Sequence, residues 1–100
     1  MINHIVLFKL KEFETEDLKA LTRSKIKNAL LALKDQISEI KYMEVGENHE
    51  LNTNSHDICL ITHFDSLEAL EIYRVHPEHL KVVDLIQANT ASKAAVDYEL

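Results

Sequence analysis

One cysteine, one proline and one glycine occur among the 100 residues, and each scarcity closes off a class of protein. Cys59, being alone, excludes an intrachain disulfide. It lies in the apolar run Ile58-Cys59-Leu60-Ile61, where a small buried thiol is expected; a nucleophile needs an electropositive, partly exposed setting. With Gly46 as the single glycine there is no glycine-rich loop to cradle phosphates, so no nucleotide cofactor is expected. The shortage of glycine and proline also leaves no flexible linker, and residues 1–100 read as one domain. No apolar run reaches the length that spans a bilayer. The N-terminal stretch is short and broken by Asn3, His4 and Lys9, unlike a signal peptide, so a cytoplasmic location is expected. The formal net charge is −6 and the basic residues form no stripe, which speaks against nucleic acid and anionic membranes as partners.

What is present is hydrophobic periodicity of two kinds. Residues 2–11 read as a strand apolar on both faces, with Val6 and Phe8 on one and Ile5 and Leu7 on the other. Residues 15–36 read as a helix capped by Thr15, with Glu16 and Asp17 in its first turn. Leu18, Thr22, Ile26, Ala29, Leu30, Leu33 and Ile37 recur at helical spacing and are expected to face a sheet. Further strands are expected over 39–48, 57–64 and 93–99, with a polar loop from Glu50 to His56. Asp65 followed by Glu68 marks the start of a helix from about Ser66 to Tyr73, and another should run from Pro77 to about Ala88. The order βαββαβ predicts an α+β, ferredoxin-like domain with a four-stranded antiparallel sheet and helices on one face. The other apolar face predicts back-to-back pairing of two sheets, hence a homodimer with two-fold symmetry.

The stretch Tyr73-Arg74-Val75-His76-Pro77-Glu78-His79 gathers a phenol and two imidazoles around that one proline. Pro77 suits the first turn of a helix and disfavours helical geometry at His76, so two helices should meet there. His76 is then expected to serve the junction by satisfying free backbone N–H groups. Tyr73, His76, His79 and the strand residue His4 are candidates to converge on one pocket. An imidazole near its ordinary pKa of about 6.5 exchanges protons around neutrality, and a phenol beside it could polarise a carbonyl. His76-x-x-His79 with His4 is a weak zinc pattern without a clearly placed orienting carboxylate, and no metal site is expected.

Four pieces of the chain together carry a family resemblance: His4-Ile5-Val6-Leu7-Phe8-Lys9, Val45-Gly46-Glu47-Asn48, Tyr73-x-x-His76-Pro77-x-His79 and Val96-Asp97-Tyr98-Glu99. In order and spacing the sequence resembles the stress-responsive dimeric α+β-barrel (Dabb) proteins, a family mostly of unassigned activity. Cyclases of this barrel family that act on polyketide chains use a first-strand histidine, the tyrosine before His-Pro and the histidine after it. By resemblance the matching residues are His4, Tyr73 and His79. His79 would remove a proton alpha to a carbonyl, Tyr73 would hydrogen-bond the ketone oxygen, and His4 would hold His79 or substrate in an intramolecular aldol condensation. Those cyclases carry a further tyrosine in the first helix, where this chain reads Ser24-Lys25-Ile26-Lys27, with Ile26 inward. Two other readings stand beside the lyase- or cyclase-like enzyme. One is a non-enzymatic stress-associated binding or structural dimer, which predicts a filled interior. The other, a monooxygenase, rests on the shared barrel alone.

Overall fold

A computed structural model describes residues 1–49 and 54–100. The elements are β1 (Ile2–Leu10), α1 (Glu16–Gln36), β2 (Tyr42–Glu47), β3 (Ile58–Phe64), α2 (Leu67–Val75), α3 (Pro77–Asn89) and β4 (Thr90–Glu99). The sheet order is β2-β3-β1-β4, antiparallel throughout, which is the ferredoxin-like arrangement. β1 and β3 take the two central positions, and each carries apolar side chains on both faces.

One face is the core. Ile2, Val6, Phe8 and Leu10 of β1 alternate into it, joined by Ile58, Leu60 and Phe64 of β3. The helices supply Ile26, Leu30, Leu33, Leu70, Tyr73, Val82 and Ile86 from above. Each fully buried aliphatic side chain of this kind contributes roughly 1.5–3 kcal/mol relative to exposure. Buried carboxylate Asp57 closes the far end of β1: its Oδ2 accepts from the Leu10 N–H at 2.7 Å and its Oδ1 lies 3.4 Å from the Lys19 ammonium. That bond falls just past the last β1–β3 pair, Phe8 with Ile58, where the Asp57 N–H donates to the Phe8 carbonyl, so on that side of β1 a side chain stands in for the next ladder partner.

The caps follow the sequence closely. Thr15 Oγ1 accepts from the Leu18 N–H at 3.1 Å, as expected. For α2 the capping residue is Ser66 and not Asp65, its Oγ accepting from the Ala69 N–H at 3.1 Å. The chain breaks at His76 with φ −64° and ψ 133°, and Pro77 opens α3.

Three expectations are corrected. Leu18 does not face the sheet but stands 46% exposed, because the buried side of α1 begins only at Ile26. β4 starts at Thr90, three residues early; it is an edge strand whose exposed positions need no apolar alternation to mark them. β2 is shorter than 39–48, with buried Ile40 in its lead-in. The polar loop expected over 50–56 lies in part outside the described residues.

The second face carries Asn3, Ile5 and Leu7 of β1, Cys59, Ile61 and His63 of β3, Tyr42 of β2, and Val96 and Tyr98 of β4. Val96 and Tyr98 are about half exposed, at 53% and 47%, which leaves an apolar surface without cover in the single chain. Cys59 is therefore half-buried and not fully enclosed. Desolvation, with Glu44 nearby, pushes its thiol above the ordinary range, so it is a poor nucleophile. No helix among the described residues is long and apolar enough to cross a membrane.

Candidate functional site

β1 delivers His4 to the helix-covered face, in register with Thr62 on one side and Asp97 on the other. The His4 Nδ1–H donates to Asp97 Oδ1, while Asp97 Oδ2 accepts from Arg74 Nη2 at 2.9 Å. One carboxylate thus ties the central strand, the edge strand and the end of α2 together. Arg74 is further shared with Glu71, 3.6 Å away. An imidazole whose Nδ1 is held by a carboxylate keeps its ring orientation and leaves Nε2 for other work.

Tyr73, one residue earlier on α2, is the largest fully buried side chain. Its ring lies between Phe64, at 5.0 Å between centroids, and His79, at 4.2 Å, with His4 at 6.1 Å. Its hydroxyl is buried and has no hydrogen-bond partner among the described residues. Burial pushes the phenol up to about 12, so it remains a proton-bearing donor at any physiological pH.

His79 is placed by the helix break. Because Pro77 restarts the helix, the ring falls back over the end of α2, and its Nδ1–H donates to the Arg74 carbonyl at 3.0 Å. A carbonyl can only accept, so Nδ1 carries the proton and Nε2 is the basic atom of the neutral ring. Burial lowers the pKa of His79; the bond to Arg74 opposes this, while His4, Lys93 and His76 add to the lowering. A neutral imidazole thus lies tilted at 35° against a phenol that keeps its proton at physiological pH. Environment sets a proton donor and a basic nitrogen side by side.

These groups line a cavity of about 390 Å³ between sheet and helices. Val6, Phe8, Leu60 and Leu30 make its apolar floor and one wall. His4, Tyr73, Arg74, His79 and Lys93 supply the polar groups. The volume lies in the range that holds small organic ligands.

His4, Tyr73 and His79 therefore share one cavity. His76 does not line it; its Nδ1 accepts from the Glu78 N–H at 3.1 Å, which makes it the cap of α3. Ile26 is wholly buried in the core but is not part of the cavity wall, where α1 contributes Leu30. Among the described residues no group of three His, Cys, Asp or Glu side chains could hold a metal ion. Sequence reasoning missed Asp97, Arg74 and Lys93. Asp97 stands in plain view in the closing strand, and the signal was its antiparallel register opposite His4, which only the sheet pairing reveals.

A family model described as the stress responsive A/B barrel domain (Dabb) matches residues 2–100. No protein of curated function matches the chain. Among solved structures, a dimeric protein of unknown function and ferredoxin-like fold from Bacteroides fragilis is 35% identical, with a TM-score of 0.88 over 99% of this chain and 95% of that one. A dimeric ferredoxin-like protein of unknown function from Thermobifida fusca is 26% identical, with a TM-score of 0.84 over 99% and 90%. The hydroxynitrile lyase of Passiflora edulis is similar in fold, with a TM-score of 0.83 over 99% and 92% at 14% identity.

Proposed function

Since the chain belongs to the stress-responsive A/B barrel (Dabb) family, we propose that it is a small lyase- or cyclase-type enzyme moving protons on a carbonyl compound, acting as a cytoplasmic homodimer. The single observation that carries this reading is Tyr73, its buried hydroxyl without a partner among the described residues, beside the neutral ring of His79 on the wall of a ligand-sized cavity. An orphaned buried hydroxyl costs stability, and a substrate oxygen would satisfy it.

In this mechanism the carbonyl oxygen of the substrate accepts from Tyr73. His79 Nε2 takes the proton from the adjacent carbon, and the C–H bonding pair moves into the enolate, whose oxygen stays on the tyrosine O–H. The enolate carbon then either recovers a proton from the imidazolium or attacks a second carbonyl carbon of the same molecule, whose π pair moves to its oxygen and takes the proton from the imidazolium. His4, steadied by Asp97, bounds the site on the strand side. Homodimerisation is supported by the uncovered apolar face of the sheet and by relatives described as dimeric. A purely structural dimer would have reason to fill its interior, and the cavity argues against that reading.

The test is deuterium incorporation alpha to the carbonyl of a panel of 1,3-diketones and β-keto esters in D₂O, followed by proton NMR. Exchange above the buffer rate is expected, with a loss of about 100-fold in His79→Ala, the scale of a removed general base. Exchange at the buffer rate for every compound, or an unaffected variant, would sink the proposal.

A further inference from the structure

The cavity is charged in the opposite sense to the molecule. The chain has 17 acidic against 11 basic residues, yet among the described residues no Asp or Glu lines the cavity, whereas Arg74, Lys93, His4 and His79 do. The two cations are not equivalent. Arg74 is already engaged by Asp97 and Glu71. Lys93 stands opposite Phe8 on β4, which brings its side chain to the helix-covered face, and no carboxylate among the described residues lies within ion-pair distance of it. The floor beneath it is aliphatic and aromatic, through Val6, Phe8 and Leu60. Resting on the proposed function, we infer that the substrate is a carboxylate-bearing carbonyl compound with an apolar body, its carboxylate held by Lys93 and its ketone by Tyr73.

Electrostatics make the choice of anion consequential for the base. Lys93 is one of the charges that hold His79 toward its neutral form, together with His4 and His76, while the Arg74 carbonyl acts in the other sense and the Asp97 carboxylate is spent on His4 and Arg74. A carboxylate seated on Lys93 would offset that ammonium and make His79 a stronger base only when substrate is present. A neutral ligand of the same shape could not do this. Discrimination would then act on the proton-transfer step as well as on binding.

The probe pair is 4-oxo-4-phenylbutanoate and its methyl ester, which share an enolisable carbon beside the ketone and differ in the charge. Affinities come from ¹H–¹⁵N NMR titration, and deuterium exchange beside the ketone is followed in the same samples. The carboxylate should bind roughly threefold to fivefold more tightly than the ester, as for a solvent-accessible ion pair. Lys93→Met should erase that preference and Lys93→Arg should retain it; position 93 is exposed on an edge strand, so both variants should fold. The His79 ring resonances should titrate at higher pH with the carboxylate bound than with the ester. Equal affinities for the two probes, failure of both to bind, or a preference untouched by Lys93→Met would overturn the assignment. A carboxylate preference without exchange would uphold the anion site and defeat the proton-transfer reading; exchange that is equal for both probes, with equal affinity, would do the reverse.

Discussion

Removing the hydroxyl of Tyr73 should make the free protein more stable while disabling it. The oxygen is buried and meets no donor or acceptor among the described residues, although the ring around it is well packed against Phe64 and His79. Leaving a polar group in that state costs about 1–3 kcal/mol. Tyr73→Phe keeps the ring and its aromatic neighbours and deletes only the orphan, so a gain of about 1 kcal/mol is expected, at the low end because the cavity adjoins it. For a domain of this size that corresponds to a rise in melting temperature of roughly 4–8 °C. Urea or thermal unfolding followed by circular dichroism reads it directly, at matched protomer concentration because subunit association shifts apparent stability. The same variant should lose deuterium exchange on the carbonyl panel. A loss of 0.5 kcal/mol or more in Tyr73→Phe would refute the reasoning, for it would mean that the hydroxyl is satisfied in the free protein and has no need of a substrate oxygen.

The opposite outcome is expected at Asp57, whose carboxylate accepts the Leu10 N–H from a buried position; Asp57→Ala strands that donor and should cost about 2–3 kcal/mol by urea unfolding. Stability should fall at both ends of the pH range. The lowered pKa of His79 contributes stability above its ordinary 6.5 that is lost as pH falls through the depressed value. The phenol of Tyr73, raised from 10.0 to about 12, contributes up to about 2–3 kcal/mol below pH 10 that is lost as pH rises toward 12, and Tyr73→Phe should remove that alkaline limb. Asp97→Asn should reduce exchange about tenfold by loosening His4 while costing no more than about 1 kcal/mol, because its ion pairs are partly exposed. Sedimentation equilibrium should give twice the 11.5 kDa chain mass, and Val96→Glu on the uncovered face should give the monomer with the fold intact.

Elements with a strong internal pattern were legible from the residues. Thr15, Pro77 and the alternation in β1 each carry local chemistry that fixes a boundary, and the structure places α1, α3 and β1 within a residue or two of expectation. β4 was read three residues short because an edge strand has little burial to write into its sequence. The same distinction governs the site. Tyr73, His76 and His79 lie close along the chain, and the break at His76 could be reasoned from proline geometry. Asp97 is 93 residues from the histidine it holds, so its role exists only through the pairing of β1 with β4. Lys93 is legible only once that register puts it on the same face as Phe8.

The pocket and the proposed dimer are two sides of one physical problem. A domain of 100 residues buries a limited share of its surface, and this one leaves a cavity of about 390 Å³ and a hydroxyl without a partner among the described residues inside the core that its helices cover. Stability withheld on that side can be recovered on the other, where Ile5, Leu7, Ile61 and Val96 present an apolar sheet face that a second subunit would bury. Asn3 shows how that face is tuned: its Nδ2–H donates to the Tyr98 hydroxyl at 2.8 Å while its own Oδ1 is buried without a partner among the described residues. On this view Val96→Glu should lower thermal stability more than its exposure in the single chain suggests, and filling the cavity from the floor with Ala95→Leu should raise stability while blocking ligand. If Val96→Glu left both mass and stability unchanged, the core under the helices would be sufficient alone, and the link between an open pocket and a paired sheet would be broken.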